Sequence, residues 1–165
     1  LGIKTGGFGK RNSWRLNKMT SLDGSKPLNL PCTAAETYYE GYLYKVSSNA
    51  MTIITADGDT TVAVCDVSSV DDEQTARAAV SGEKVGFFVL GSSAIVYVAS
   101  QASQTYALGA AVVNSDSVDG MCAATAGSSG DMQIGHYVGD GETTSTTDGD
   151  LVPVVLSVSP ELADS

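Results

Sequence analysis

The chain has 165 residues, 42% of them hydrophobic, and a formal net charge of −10; that is enough for one domain with a real core and too little to expect two. The charge is divided: residues 1–26 carry six Lys/Arg against Asp23 alone, and residues 27–165 carry three against eighteen Asp/Glu, so an arm of +5 precedes a body of −15. A body that negative is repelled by nucleic acid and by anionic membranes, and neither is expected as a direct partner.

The arm comes first. "LGIKTGGFGKRNSWRLNK" holds five of the nine basic side chains, the only tryptophan and no acid. Its glycines and scattered apolar residues make no helix face, and alone it would be largely disordered. A solvated tail has no use for the sole tryptophan, and aromatic and Arg anchors are what binding hot spots are made of. Ile3, Lys4, Phe8, Lys10, Arg11, Trp14, Arg15, Leu16 and Lys18 are therefore the candidate docking residues. The start at Leu1 instead of Met gives the expectation that an initial piece was removed or lies outside the numbering. No secretory signal is expected, since an apolar h-region is lacking.

Residues 27–165 are expected to form a single β domain. Short β-rich runs broken by Gly, Asp and Ser follow one another at 38–46, 51–55, 60–67, 84–90, 94–100, 109–115, 120–125, 131–138 and 150–158. Nine such runs predict an all-β fold, a small β-barrel or β-sandwich. Between them, "SVDDEQTARAAVSG" at 69–82 offers Asp71 as a cap, Gln74 three residues later and then Gly82, which predicts one short helix. The longest apolar run, "VGFFVLG" at 85–91, has the length of a strand and falls well short of the roughly eighteen residues of a membrane span.

Laid against itself, the chain repeats faintly. Gly41 matches Gly109, Met51 matches Met121, "TVAVCDV" at 61–67 matches "MQIGHYV" at 132–138, and "GEKVGFFVL" at 82–90 matches "GDLVPVVLS" at 149–157. The order is kept while loop lengths vary. Two pseudo-repeats, at about 38–90 and 106–158, are read as strand groups closing a common core, because a stable array needs three or more units.

Catalytic and metal signatures were sought along the same stretch. His136 is the sole histidine, lies in a predicted strand and has no G-x-S-x-G turn beside it; it is read as a histidine facing a loop or half-buried beside Tyr137. "TGGFGKR" lacks the Ser/Thr and the spacing of a phosphate loop. Cys32, Cys65 and Cys122 are an odd number at wide spacing, hence reduced and buried, with neither a disulfide framework nor a zinc site. The acidic turns "ADGDT", "GDGE" and "DGD" do not converge six oxygens and read as hairpin turns. Tyr38, Tyr42 and Tyr44 fall on one face at period two, with Tyr39 on the other, for core packing and a subunit contact. No enzyme, cofactor or metal is expected.

The twice-written unit carries a resemblance. A glycine opening a short strand, a variable turn, a strand with a small-residue step and a Gly-acid pair before alternating Val occur at Gly41 to Val46, Val62 to Val67, Gly82 to Val89, 95–112, Ile134 to Val138 and Gly149 to Leu156. This resembles the capsid cement, or head-decoration, proteins of tailed double-stranded DNA viruses of bacteria and archaea, over most of residues 38–158. The helix-like insertion, the loop at 139–150 and the basic arm depart from that pattern. The resemblance implies a structural virion protein on the outer surface of the capsid, binding the major capsid protein and forming a homotrimer that holds the shell against internal DNA pressure. The arm, extended to at most about 90 Å, would then be the docking segment. The alternative from another class is an extracellular adhesion or carbohydrate-binding β module built on the tyrosines and acidic loops.

Overall fold

The structure, a computed structural model, describes residues 21–32, 36–55, 59–67, 76–78, 83–124 and 132–157. Among the described residues it is all-β, with fourteen strands and no helix. The first seven are β1 (Leu28–Pro31), β2 (Thr37–Tyr39), β3 (Leu43–Ser47), β4 (Ala50–Ile53), β5 (Ala63–Asp66), β6 (Ala76–Ala78) and β7 (Lys84–Val89). The second seven are β8 (Ile95–Ser100), β9 (Thr105–Tyr106), β10 (Ala111–Asn114), β11 (Cys122–Ala123), β12 (Gln133–Tyr137), β13 (Thr143–Thr144) and β14 (Asp150–Leu156).

The two sets of seven share one topology. In the first, called barrel 1 below, the strand order is β1-β7-β5-β3-β4, a five-stranded sheet whose outer strands meet at one parallel bridge between Cys32 and Met51; the second set is barrel 2. In the second, β8-β14-β12-β10-β11 close into a barrel through a parallel pair between Ser100 and Cys122. The short ribbon β2·β6 recurs as β9·β13. The registers match residue by residue: Leu28↔Phe87 corresponds to Val96↔Val154, Leu43↔Val64 to Ala111↔His136, and Tyr38↔Arg77 to Tyr106↔Thr143. Even a side-chain bond is kept, since the Ile53 N–H donates to Glu36 Oε1 and the Ala124 N–H donates to Gln104 Oε1. Buried Tyr38 donates to the Met51 carbonyl, and its counterpart Tyr106 to the Cys122 carbonyl.

One difference in length has a local cause. β5 runs to Asp66, opposite Gly86, whereas β12 stops a position sooner, where Pro153 replaces that glycine. Proline accepts from the Val138 N–H but has no N–H to return, so the ladder ends.

Alternation along the strands produces two packed clusters. Tyr44, Ala63, Cys65, Val85 and Phe87 point into barrel 1. Their neighbours Leu43, Val64 and Phe88 lie in one cross-strand row on its outer face, and they join the cluster made by Val96, Val98, Val152, Val154 and Leu156 inside barrel 2. Barrel 1 therefore plugs barrel 2. The three side chains contribute up to about 5–9 kcal/mol by burial at ~1.5–3 kcal/mol each. That is comparable to the net stability of a domain, about 5–15 kcal/mol, so the two barrels form one cooperative body.

The helix expected at 69–82 is corrected at its centre. Ala76–Ala78 is β6, antiparallel to β2, and the flanking residues lie outside the described ones. Ala and Arg favour helix locally by tenths of a kcal/mol, and a paired strand slot of the repeated unit overrides that preference.

Candidate docking surfaces

The nine candidate residues between Ile3 and Lys18 lie outside the described residues; the root of the arm does not. Ser21 forms an antiparallel bridge with Val96, and the Leu22 N–H donates to the Ile95 carbonyl at 2.6 Å. β8 is open there because its other neighbour, β11, pairs with it only at Ser100. The rest of that edge is met by the Gly41 carbonyl, which accepts from the Ala99 N–H at 2.9 Å. Residues 21–27 thus start on barrel 2 and lead into β1 of barrel 1. Asp23 holds the strap locally: bonds from the Ser21 hydroxyl and the Ser25 N–H draw its carboxyl down to about 2.

Both halves of the body are acidic. Residues 85–165 contain no Lys or Arg and nine Asp/Glu, while residues 27–84 hold the body's three cations, Lys45, Arg77 and Lys84, against nine Asp/Glu. Lys26 at the arm root, with Ser25 and Leu28, rims a shallow depression of about 220 Å³ floored by Phe87, Phe88 and Val89.

Tyr38, Tyr42 and Tyr44 do not share one face as period two predicts. A turn at residues 40–42, with Gly41 at φ +75°, interrupts the alternation. Tyr38 and Tyr44 stack inside barrel 1, ring centroids 5.0 Å apart, and burial pushes the Tyr44 hydroxyl pKa far up. Tyr39 and Tyr42 instead pair at the surface at 4.9 Å, with Tyr39 exposed.

The last Asp of two acidic turns is held by its own loop, while Asp148 accepts from the distant Ala102 N–H. T-x-D-G-D occurs at 55–59 and 146–150, and in both the last Asp accepts from the Thr N–H and hydroxyl four residues earlier. Backbone bonds from Thr147 and then Thr146 bring Asp150 down to about 2, and Lys45 at 2.6 Å with Thr55 lowers Asp59. No cluster of three or more metal-ligating side chains occurs among the described residues. The three thiols are reduced and buried, as the cysteine count predicts, and burial raises Cys65 well above its ordinary value and Cys122 to about 12. His136 is half-buried against a loop, with Nδ1 facing the Gly109 carbonyl at 3.2 Å and Nε2 facing Gln133 Nε2 at 3.0 Å. A carbonyl takes only a donor, which assigns the proton to Nδ1 and leaves Nε2 as acceptor.

A surface not expected from the sequence lies on barrel 2. Ala111, His136, Val155 and Ile95 form one outward row across four strands, with Tyr97 and Pro153 beside it, all half-buried or exposed. Its signal was present: "LVPVVL" is apolar at both parities, unlike a strand with one wet face. No helix among the described residues is long and apolar enough to cross a membrane. Neither a family model nor a curated protein matches the chain.

Proposed function

We propose that this is a capsid cement protein: it binds the outer surface of a shell of major capsid protein through its basic arm and stitches neighbouring subunits against internal pressure. The observation that carries the reading is the duplicated seven-strand unit. The strand rhythm on which the family resemblance rests recurs as two five-stranded units of one strand order, one a closed barrel and the other a sheet whose outer strands meet at a single bridge. Charge agrees with it, since an arm of +5 is rooted on a body of −15, so attraction to a shell and repulsion between bodies are divided between two parts of one chain. Several modest arm contacts made by an oligomer at a capsid symmetry axis would add through avidity.

The test is co-sedimentation of the full chain with undecorated capsids from the source virus. It is compared with a full-length variant in which Lys4, Lys10, Arg11, Arg15 and Lys18 become Glu and Trp14 becomes Ala. Saturable pelleting of the first and loss for the second, with unchanged circular dichroism, supports the reading; absence of pelleting by the natural sequence overturns it. The exposed Tyr39–Tyr42 pair favours a second reading, a carbohydrate-binding module. That reading requires glycan binding that survives the arm substitutions and is lost in Tyr39→Ala.

A further inference from the structure

The duplication supplies an internal control, because the paired strand positions described in one barrel have counterparts described in the other. Two comparisons disagree in a complementary way. On the outer face, barrel 1's row Leu43–Val64–Phe88 is buried inside the cluster shared with barrel 2. The same row of barrel 2, Ala111–His136–Val155, stands half-buried or exposed. At the seam between the outer strands, barrel 2's Val96 is 0% exposed because Ser21, Leu22, Gly41 and barrel 1's outer row close it over. Its counterpart in barrel 1, Leu28, is 57% exposed and opens on the depression rimmed by Lys26.

The molecule therefore shows one filled copy of an interface, outer face into seam, and the two unfilled halves of a second. We propose that the second is filled between molecules, with the outer face of barrel 2 in one copy seating on the barrel 1 seam of the next, head to tail. The filled internal copy singles out another copy of this chain as the occupant: the outer face that seats on the barrel 2 seam within the molecule is left uncovered on barrel 2, and the seam it would seat on is left open on barrel 1. The donor row carries no carboxylate, so the contact is apolar and forms against the general repulsion between two acidic bodies. Such a contact is heterologous, so it closes into a ring or runs on as a filament, unlike a two-fold dimer.

The intermolecular contact is not a full copy of the internal one. Internally the Ala99 N–H donates to Gly41; the counterpart of Ala99 is Pro31, which has no N–H, and Pro27 stands where Ile95 does. Both prolines fall on the free side of β1, where they block an added strand. The contact is accordingly side chain against side chain, weaker than the internal one, and concentration-dependent. It makes no use of the capsid, and stands or falls separately from the cement reading.

The experiment is sedimentation velocity of the full chain over a concentration series, with Leu28→Glu as the seam variant and Ala111→Glu as the face variant. Ala111 is exposed, so that variant folds whatever the fate of the other; circular dichroism checks both. The expected results are association of the natural sequence that strengthens with salt as repulsion between copies of net charge −10 is screened, at least about tenfold weaker association of each variant alone, and a 1:1 complex when the two variants are mixed. Only a head-to-tail contact rescues in the mixture, since each variant retains the half that the other lacks. A natural sequence that stays monomeric, variants that associate normally, or a mixture without the 1:1 complex each overturns the proposal.

Discussion

Gly41 and Gly109 occupy the same place in the repeated unit, at φ +75° and +79°, and differ in what surrounds them. A Cβ at Gly41 would lie 2.7 Å from Leu151 Cδ2, 3.1 Å from the Ala99 nitrogen and 3.2 Å from the Tyr97 oxygen. At Gly109 nothing lies within 4 Å. Alanine in the left-handed region costs about 1–2 kcal/mol at either site. At Gly41 the leucine tip can rotate away but the two backbone atoms of β8 cannot, which adds an overpacking cost of about 1–3 kcal/mol. Gly41→Ala should therefore destabilise by about 2–5 kcal/mol and Gly109→Ala by about 1–2 kcal/mol. Urea unfolding followed by far-ultraviolet circular dichroism, on protein dilute enough to be monomeric, measures both; the gap corresponds to several degrees in Tm for a chain of this size. Equal costs, or a larger one at Gly109, would refute the placement of the Gly41 turn against barrel 2.

Three further outcomes follow from the same geometry. Asp23 and Asp150 have folded pKa values of about 2, below the ordinary 3.8, so their stabilising bonds are intact above that ordinary value and are lost as pH falls toward 2. Asp150→Asn should flatten the dependence of the urea midpoint on pH between roughly 5 and 2; an unchanged slope contradicts it. Tyr38→Phe removes the donor to the buried Met51 carbonyl and should cost about 1–3 kcal/mol. A neutral result in thermal melts would deny that bond. All three thiols should resist a disulfide exchange reagent in the native protein at mildly alkaline pH and react together in urea, because Cys65 and Cys122 are buried with raised pKa values and Cys32 is buried in the same cluster as Cys65. Rapid native reaction at any one of them would contradict that burial.

The all-β class was legible because β-branched and aromatic residues alternate over runs such as 95–100 and 150–156, and period two is a property of the strand alone. The duplication was legible because matching runs kept their order; the observed registers keep Gly41 with Gly109 and 82–90 with 149–157, but set Met51 against Cys122 and move the match of 61–67 by one residue, and the units begin earlier than expected, at β1 and β8. The ribbons β2·β6 and β9·β13 left little trace, since strands of two or three residues have no periodicity to read. Local sequence even favoured a helix over Ala76–Ala78, until a partner strand settled the matter. Tyr42 was assigned to the wrong face because a left-handed glycine resets the alternation, and the sequence shows the glycine but not the sign of φ. The arm's candidate residues came from composition alone and lie outside the described residues. The apolar row Ala111–His136–Val155 was hidden for another reason, as its strands are distant in sequence and only their pairing makes a surface.

Sequence by itself determined the longer strands, the order of their repetition and the division of charge between arm and body, all of which are local or additive along the chain. Tertiary structure alone decided which copy of each repeated surface is covered, Val96 under barrel 1 and Leu28 in the open. Burial is a property of what another part of the chain brings into contact, and two identical positions in a duplicated unit cannot both have the same neighbour when the chain joins them only once.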